Sequence, residues 1–226
     1  MSFPDLRAFI DRLRRDDDLV TVDVPVDPHL EVAEIHRRVI AAGGPALLFT
    51  NVAGSDFRLV TNLFGTARRA ELAFGDRPLR LIRRVVELVE TLLPPTPTKL
   101  WGARDLGLEL FTVGAKRVHS GPVLDRVTTD VRLDRVPALT CWPEDGGPFL
   151  TLPLVYTTHP ERAPSTGSGQ PRAESRGAGA SNLGLYRMQV YDARTTGMHW
   201  QIGKGGGYHY AAAEARGQSL PVTVFL

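Results

Sequence analysis

The stretches NLGLYRMQV at residues 182–190 and TTGMHWQIGKGGG at residues 195–207 decide how the second half of the chain is interpreted. Both place apolar residues among polar or small ones, as short half-buried β-strands do. Asn182 and Arg187 can approach one ligand if a strand begins just after the asparagine. The planar guanidinium of Arg187 suits a carboxylate or a phosphate. These residues therefore predict a binding site for an anion.

The second stretch adds a metal ligand and a glycine run to this site. His199 carries an imidazole that can bind a metal ion, and Lys204 places a cation beside three glycines. Successive glycines let backbone N–H groups approach an anion closely. The spacing matches neither GxxxxGK[ST] nor a GxGxxG turn followed by an obvious helix. A flexible hairpin tip at 203–207, with His199 as an ordinary sheet residue, is the alternative, and the nearby asparagine and arginine favour a binding site.

Working outward, short apolar runs separated by turns predict a largely antiparallel sheet or barrel in the second half of the chain. The predicted strands cover residues 108–113, 127–133, 150–157, 185–191, 198–202 and 222–226. Residues 160–180 are rich in Gly, Ser, Pro and Arg and contain no aliphatic residue larger than alanine. Such a stretch cannot pack a core, so it predicts a disordered surface loop.

The first half of the chain mixes helices and strands. Apolar residues at helical spacing predict helices at 4–15, 29–42 and 81–92, and apolar runs predict strands at 19–24, 46–50 and 58–62. The proline cluster at 94–97 then predicts a domain boundary. The expected fold class is α+β, with a small α/β domain over 1–97 and a second domain over 98–226.

Composition excludes several functional classes. The net charge is only +2, because 27 basic residues are interspersed with 25 acidic ones, so no basic face for nucleic acid is expected. No run of 18 apolar residues and no signal peptide occurs, so we expect a cytoplasmic protein. Cys141 is the single cysteine and is expected in the core. His29 and His36 share one helical face without a third ligand, so a solvated face is expected.

The two opening stretches, together with PVTVFL at 221–226 and GGPALLFTNVAGSDFRLVTNLFGTARRAELAFG at 43–75, resemble the UbiD family of decarboxylases, which use prenylated FMN. The resemblance covers nearly the whole chain apart from residues 160–180. It implies a small N-terminal α/β domain followed by a flavin-binding split β-barrel. The family's C-terminal oligomerisation domain would not fit within this chain, and the barrel is expected to be truncated because the sequence ends on the strand at 222–226.

The same resemblance implies roles for particular residues. Asn182 would bind a divalent metal ion that bridges to the flavin phosphate, and His199 would be a second ligand, although some family members have arginine there. Mn²⁺ is the expected ion, with K⁺ as an additional one. The expected cofactor-binding residues are Asn182, Leu185, Tyr186, Arg187, His199, Trp200, Gln201, Lys204 and Gly205.

The resemblance also implies a reaction. Arg187 would be catalytic and would dock the carboxylate of a small-molecule acid, CO₂ would leave, and a carboxylic acid would return a proton. The substrates would be aromatic or α,β-unsaturated acids, including 4-hydroxy-3-polyprenylbenzoate of quinone biosynthesis, whose polyprenyl tail would bring peripheral membrane association. A flavin prenyltransferase would supply the cofactor, and the full-length parent would be a homo-oligomer.

One departure from the family limits these expectations. A metal-binding glutamate and the proton-donating acid of the family lie downstream of the strand that matches 221–226. We therefore expect this chain to be inactive alone, or to bind cofactor weakly. The alternatives are a flavin- or phosphate-binding module without catalysis, or a subunit completed by a second chain.

Overall fold

A computed structural model describes residues 3–92, 104, 118, 120–162, 180–201 and 203–226. The chain divides into two compact units, and each unit is built from three separate segments. Unit 1 consists of Met1–Val20, Val39–Leu47 and Val60–Asp130, and unit 2 consists of Thr21–Arg38, Leu48–Leu59 and Val131–Leu226.

The first half of the chain contains four helices and three strands within residues 3–92. In chain order they are α1 (Leu6–Arg15), β1 (Leu19–Val22), α2 (Glu31–Ala41), β2 (Ala46–Phe49), β3 (Leu59–Thr61), α3 (Ala67–Phe74) and α4 (Arg77–Leu92). The strands form a sheet in the order β1-β2-β3. Helix α1 begins after Asp5, whose carboxylate accepts a hydrogen bond from the Ala8 N–H at 2.8 Å. The predicted helices and strands of this half are confirmed, and α3 is an addition.

A buried arginine of α3 connects separate segments of unit 1 by hydrogen bonds. The side chain of Arg69 is 2% exposed, and its Nη1 donates to Asp18 Oδ1 at 2.7 Å. Its Nη2 donates to the carbonyl of Gly44 at 3.2 Å. A buried charge is tolerated only when it is paired and hydrogen-bonded in this way. Arg69 therefore joins α3 to the residues just before β1 and β2.

Unit 2 carries six further strands and one further helix among its described residues. They are β4 (Phe149–Leu150), β5 (Leu154–Thr158), β6 (Ser181–Leu185), β7 (Met188–Val190), β8 (Thr196–Met198), α5 (Gly205–Glu214) and β9 (Val222–Phe225). Two antiparallel sheets result, in the orders β4-β7-β8 and β6-β5-β9. Leu150, Val155, Met188 and Val190 form a buried core between these strands.

Three predicted strands differ in their limits, two of them because the chain changes sheet. Pro153 has no N–H to donate to a ladder, and the predicted strand 150–157 is split there into β4 and β5. The strand predicted at 185–191 is split at Tyr186-Arg187 into β6 and β7. The strand predicted at 198–202 ends at Met198.

Three other expectations are wrong: the strand at 127–133, the alternative of a glycine hairpin tip, and a solvated His36. Residues 127–132 form no strand. Leu133, the last residue of the predicted strand, begins a short 3₁₀ helix, Leu133–Arg135. Val127 is 82% exposed, so its apolar side chain has no sheet to pack against. The glycine run is not a hairpin tip either, because Gly205 to Gly207 form the first turn of α5. His36 is also half-buried rather than solvated, and burial lowers its pKa.

The mixed helix and sheet class is confirmed, while the split barrel stays a prediction. The described strands form three separate sheets rather than one closed barrel. The strand predicted at 108–113, most of the loop at 160–180 and the boundary after Pro97 lie outside the described residues. Cys141 is a half-buried free thiol.

Candidate functional site

Asn182 lies on β6, where an antiparallel ladder sets it opposite Thr157 of β5. Helix α5 packs against these two strands. Thr157 and His209 of α5 are each 1% exposed, and Thr157 Oγ1 shares a hydrogen bond of 2.8 Å with His209 Nδ1. This buried contact fixes α5 on the sheet. It thereby determines where the first turn of the helix meets Asn182.

Two glycines at the start of α5 permit that approach. A Cβ on Gly205 would overlap the side-chain oxygen of Asn182. A Cβ on Gly206 would overlap both the Tyr186 hydroxyl and the Trp200 ring. Contacts this short essentially never occur for real side chains, so a larger residue at either position would force Asn182, Tyr186 or Trp200 to move. Gly205 and Gly206 thus permit the close packing of the helix N-terminus.

The Tyr186 hydroxyl joins the strand to the helix. Its oxygen accepts hydrogen bonds from Asn182 Nδ2 at 3.3 Å and from the Gly206 N–H at 3.2 Å. Because the amide nitrogen of Asn182 faces Tyr186, its Oδ1 lies on the Gly205 side. Oδ1 accepts no hydrogen bond from any residue that the structure describes, so it is open to a ligand.

The N-terminus of α5 has the character of an anion site. Lys204 is the N-cap residue, has no side-chain capping hydrogen bond and is exposed. The first N–H groups of a helix have no intrahelical acceptor, and the helix dipole adds positive potential there. Gly206 donates to Tyr186, which leaves the N–H groups of Gly205 and Gly207. These donors and the ammonium of Lys204 suit a phosphate.

Aromatic rings flank this position. The rings of Tyr186 and Trp200 meet edge to face with centroids 5.1 Å apart, and Trp200 stacks on Tyr210 at 6.0 Å. Tyr186 and Trp200 also pack against the buried core of unit 2. The rings provide apolar surface next to the anion-binding groups.

Arg187 lies in a different environment from Asn182, although only five positions separate them in sequence. It directly precedes β7, in the other sheet, and donates from Nη1 and Nη2 to Asp145 at 3.0 and 2.7 Å. Its guanidinium carbon lies 3.6 Å from the centroid of the Phe149 ring. The hydrogen bonds from Arg187 lower the pKa of Asp145, and the same contact raises the pKa of Arg187.

Three other predicted residues are exposed. His199 directly follows β8, Gln201 precedes the α5 cap, and Leu185 ends β6 with 62% of its side chain exposed. No group of three or more His, Cys, Asp or Glu side chains suited to a metal ion occurs among the described residues. Asn182 and His199 therefore do not make a complete metal site with described partners.

Sequence reasoning missed Asp145, Thr157 and His209. Asp145 is in the segment CWPEDGG at 141–147, and its partner Arg187 lies 42 residues away, so no local pattern marks it. His209 follows Gly205 by four residues, so it shares a helix face with that glycine. That signal appears only once the glycine run is taken as a helix start.

In the described part of the chain, no helix is long and apolar enough to cross a membrane.

Two family models match the chain. The N-terminal domain of 3-octaprenyl-4-hydroxybenzoate carboxy-lyase, UbiD_N, matches residues 10–89, and the Rift-related domain of the same enzyme, UbiD, matches residues 116–226. A relative from Chlamydia pneumoniae, named as a subunit of 4-hydroxybenzoate decarboxylase, is 45% identical over 226 residues, which is 100% of this chain and 35% of that protein. An uncharacterised protein of Chlamydia trachomatis is 47% identical over 222 residues, 98% of this chain and 35% of that protein.

Solved structures share the fold. Vanillic acid decarboxylase of Sedimentibacter hydroxybenzoicus in closed form is 21% identical, with a TM-score of 0.72 over 99% of this chain and 43% of its own. The 3,4-dihydroxybenzoic acid decarboxylase of Enterobacter cloacae is 26% identical, with a TM-score of 0.69 over 99% and 42%.

An evolved dimeric form of the UbiD-class enzyme HmfF from Pelotomaculum thermopropionicum, in complex with prFMN, is 19% identical, with a TM-score of 0.68 over 97% of this chain and 43% of its own. The chain spans about a third of the length of its curated relatives. The two family models cover most of its residues in the order that the sequence motifs predict, and the chain belongs to the UbiD family.

Proposed function

We propose that this chain is the prenylated-FMN-binding part of a carboxy-lyase that removes CO₂, reversibly, from an aromatic or α,β-unsaturated carboxylic acid. Family membership, the relative named as a decarboxylase subunit and the prFMN complex of HmfF support this proposal. 4-Hydroxy-3-polyprenylbenzoate of quinone biosynthesis is the proposed substrate of the whole protein. We further propose a cytoplasmic location, a flavin prenyltransferase as the cofactor source, and peripheral membrane contact through the polyprenyl tail.

The observation that carries the proposal is the packing of Asn182 against the N-terminus of α5, where Gly205 permits the close approach. Asn182 Oδ1 lies against Gly205 in the first turn of α5, and Lys204 is the N-cap residue of the same helix. A flavin phosphate there would be held by backbone donors, the helix dipole and one ammonium. The residues present therefore fit the phosphate end of the cofactor.

The remaining residues supply surface and orientation. Trp200 and Tyr186 give an apolar wall next to the phosphate position, while Leu185 lies on the exposed face of β6 opposite Asn182 and Gln201 is exposed. When bound, prenylated FMN would supply the electrophile that the decarboxylation needs. Arg187 would bind the substrate carboxylate through its planar fork, and its raised pKa keeps it cationic at any physiological pH.

The metal ion fits the described residues less well. Asn182 offers an amide oxygen and His199 an imidazole, which are acceptable donors for Mn²⁺. The described part of the chain places no carboxylate cluster with them. We propose these two residues as ligands of Mn²⁺, with K⁺ as an accessory ion, and expect them to hold the metal weakly without a carboxylate from elsewhere.

Flavin binding tests the proposal. FMN titrated into the purified chain by fluorescence quenching should bind, and Asn182→Ala and Lys204→Ala should each weaken binding about tenfold, because each removes one polar contact to the phosphate end. Arg194→Ala is the matched control, since Arg194 is exposed and follows β7 outside the site. Equal FMN affinity in all four proteins would contradict the proposed site.

A subunit completed by a second chain is the second candidate, because the Chlamydia pneumoniae relative is named as one subunit of a decarboxylase. In that case the chain alone binds FMN with Mn²⁺ but releases no CO₂. With prenylated FMN supplied, turnover of a 4-hydroxybenzoate probe would appear only when the partner chain is added. Release of CO₂ by the chain alone would contradict this candidate, and binding without release under every mixture would indicate a non-catalytic flavin module.

A further inference from the structure

We propose that Asp145 is a positioning residue, which orients Arg187 so that one edge of its guanidinium receives a substrate carboxylate. This inference rests on the function proposed above. Asp145 has 9% of its side chain exposed, whereas Arg187 has 40% exposed. The acid is thus the enclosed partner of the pair, and the arginine is the partner that a ligand can reach.

Asp145 is itself held by its own loop. Its Oδ2 accepts a hydrogen bond from the Cys141 N–H at 3.0 Å. The same loop is tied to β7 next to Arg187, because Gln189 Nε2 donates to the Gly146 carbonyl. Gly147 has a φ of 149°, and a Cβ there would lie 2.9 Å from Gln189 Nε2. The loop therefore fits closely on β7, and the carboxylate of Asp145 has a fixed place.

This fixed carboxylate and one ring define the plane of Arg187. The guanidinium donates to the two Asp145 oxygens from Nη1 and Nη2, one bond from each. Its face lies on the Phe149 ring at 3.6 Å. The two bonds to Asp145 use two of the five N–H donors of arginine, and the Cys141 thiol also lies near the guanidinium. Donors on Nε and Nη2 form the edge that Asp145 does not use, and this edge suits a second planar carboxylate.

Positioning has a consequence for selectivity that charge alone does not have. A guanidinium with a fixed plane gives a carboxylate two parallel hydrogen bonds, and a spherical anion cannot use both equally well. Without Asp145, Arg187 would keep its charge and would lose the neighbouring negative charge. It would then attract every anion more strongly, while its preference for a planar carboxylate would fall.

The first experiment needs no ligand. In a ¹⁵N-edited NMR spectrum, Arg187 Nε–H should give one sharp resonance in the wild-type chain, identified by its loss in Arg187→Lys. Asp145→Asn should broaden this resonance and speed its exchange with water, and Asp145→Glu should restore it in part. Asp134→Asn is the matched control, because Asp134 forms an exposed bidentate pair with Arg132. An unchanged Arg187 resonance in Asp145→Asn would overturn the proposal.

The second experiment uses the same resonance to titrate sodium benzoate and sodium chloride. The ratio of benzoate to chloride affinity should fall about tenfold in Asp145→Asn, the loss expected for one charge-assisted hydrogen bond, and should stay unchanged in Asp134→Asn. Phe149→Leu keeps the carboxylate and should lower the ratio less, which provides a second variant if Asp145→Asn does not fold. An equal ratio of benzoate to chloride affinity in Asp145→Asn, Phe149→Leu and the wild type would contradict the positioning role.

Failure of the proposed function has a different signature. If FMN does not bind but the benzoate preference depends on Asp145, the positioning role stands and the flavin assignment falls. If FMN binds and Asp145→Asn leaves the ratio of benzoate to chloride affinity unchanged, the flavin assignment stands and the positioning role is overturned.

Discussion

At the scale of single residues, one hydroxyl oxygen connects the strand and the helix that form the candidate site. Tyr186 accepts from the side chain of Asn182 and from the backbone of Gly206. Removing that oxygen leaves a half-buried backbone N–H and a half-buried amide without their acceptor. An unpaired buried donor costs about 1–3 kcal/mol, more than the bond itself contributes.

Tyr186→Phe should therefore weaken FMN binding about tenfold and lower the free energy of unfolding by about 1 kcal/mol. Fluorescence titration and urea unfolding measure the two effects. Tyr208→Phe is the control, because the Tyr208 side chain is 61% exposed. If Tyr186→Phe binds FMN as the wild type does, the hydroxyl has no role in orienting Asn182.

The ion pair of Asp145 with Arg187 predicts a pH dependence of stability. The pKa of Asp145 lies below its usual value of 3.8, and the largest cause of this shift is the hydrogen bonding from Arg187. The folded carboxyl thus binds a proton less readily than the unfolded one. The stabilisation is present above the unfolded pKa and is lost as pH falls through the lower, folded pKa.

Asp145→Asn should accordingly destabilise the chain at pH 7, and its difference from the wild type should shrink as the pH is lowered below about 4. Urea unfolding at several pH values measures this difference. In an Arg187→Gln background the pH-dependent part of the effect should be reduced, since the main cause of the pKa shift is gone. A difference that is constant from pH 7 to pH 3 would contradict the assignment.

At the scale of elements, we expect a glycine-to-alanine substitution at the start of α5 to have the opposite effect on stability from the one usual in helices. Inside a helix, replacing glycine by alanine usually stabilises by about 0.5–1 kcal/mol. At Gly206 the added methyl would overlap Tyr186 and Trp200. Gly206→Ala should therefore destabilise by about 1–3 kcal/mol, as overpacking does, and should also reduce FMN affinity.

Chemical unfolding of Gly206→Ala tests this, with Gly121→Ala as the control. A methyl group added at Gly121 would meet no atom within 4 Å, and the φ of 178° there is extended, so an alanine fits. A Gly206→Ala protein that is more stable than the wild type would show that α5 does not pack against Tyr186 as described.

Elements with strong local patterns were predictable from sequence, and those defined by partners were not. The stripe of Phe9 and Leu13 in α1 has helical spacing, and both residues are buried. The opening of α5 has no such stripe, and its three glycines disfavour a helix locally. Burial of His209 against Thr157 and the close packing on Tyr186 outweigh that preference. Likewise, a run with a strand-like pattern, such as 127–132, forms a strand only if a neighbouring strand is present to pair with it.

The candidate site shows the same division. Asn182 contacts both Tyr186 and Gly205, and the cofactor-binding role of these residues stays a prediction. Arg187 was expected beside the same ligand, but the chain changes sheet between β6 and β7, and its described partner is Asp145. A salt bridge spanning 42 residues has no local sequence signal. Such a contact becomes visible only when the antiparallel registers are known.

At the scale of the whole molecule, the two compact units are interleaved along the chain. Unit 2 includes Thr21–Arg38 and Leu48–Leu59 together with Val131–Leu226. Several hydrogen bonds tie these early segments to the late one within unit 2. Leu30 N–H donates to the Thr140 carbonyl at 2.9 Å, and Ser55 Oγ donates to the Arg135 carbonyl at 2.9 Å.

This interleaving makes the predicted boundary after Pro97 testable. A fragment of residues 98–226 would lack both early segments of unit 2, so the carbonyls of Thr140 and Arg135 would lose their partners. We expect that fragment to unfold at a clearly lower urea concentration than the complete chain and to bind FMN more weakly. Adding a second fragment of residues 1–97 should recover part of both properties, because it supplies the missing segments. A 98–226 fragment with the unfolding midpoint and FMN affinity of the complete chain would instead establish the boundary and show that the early segments contribute little to unit 2.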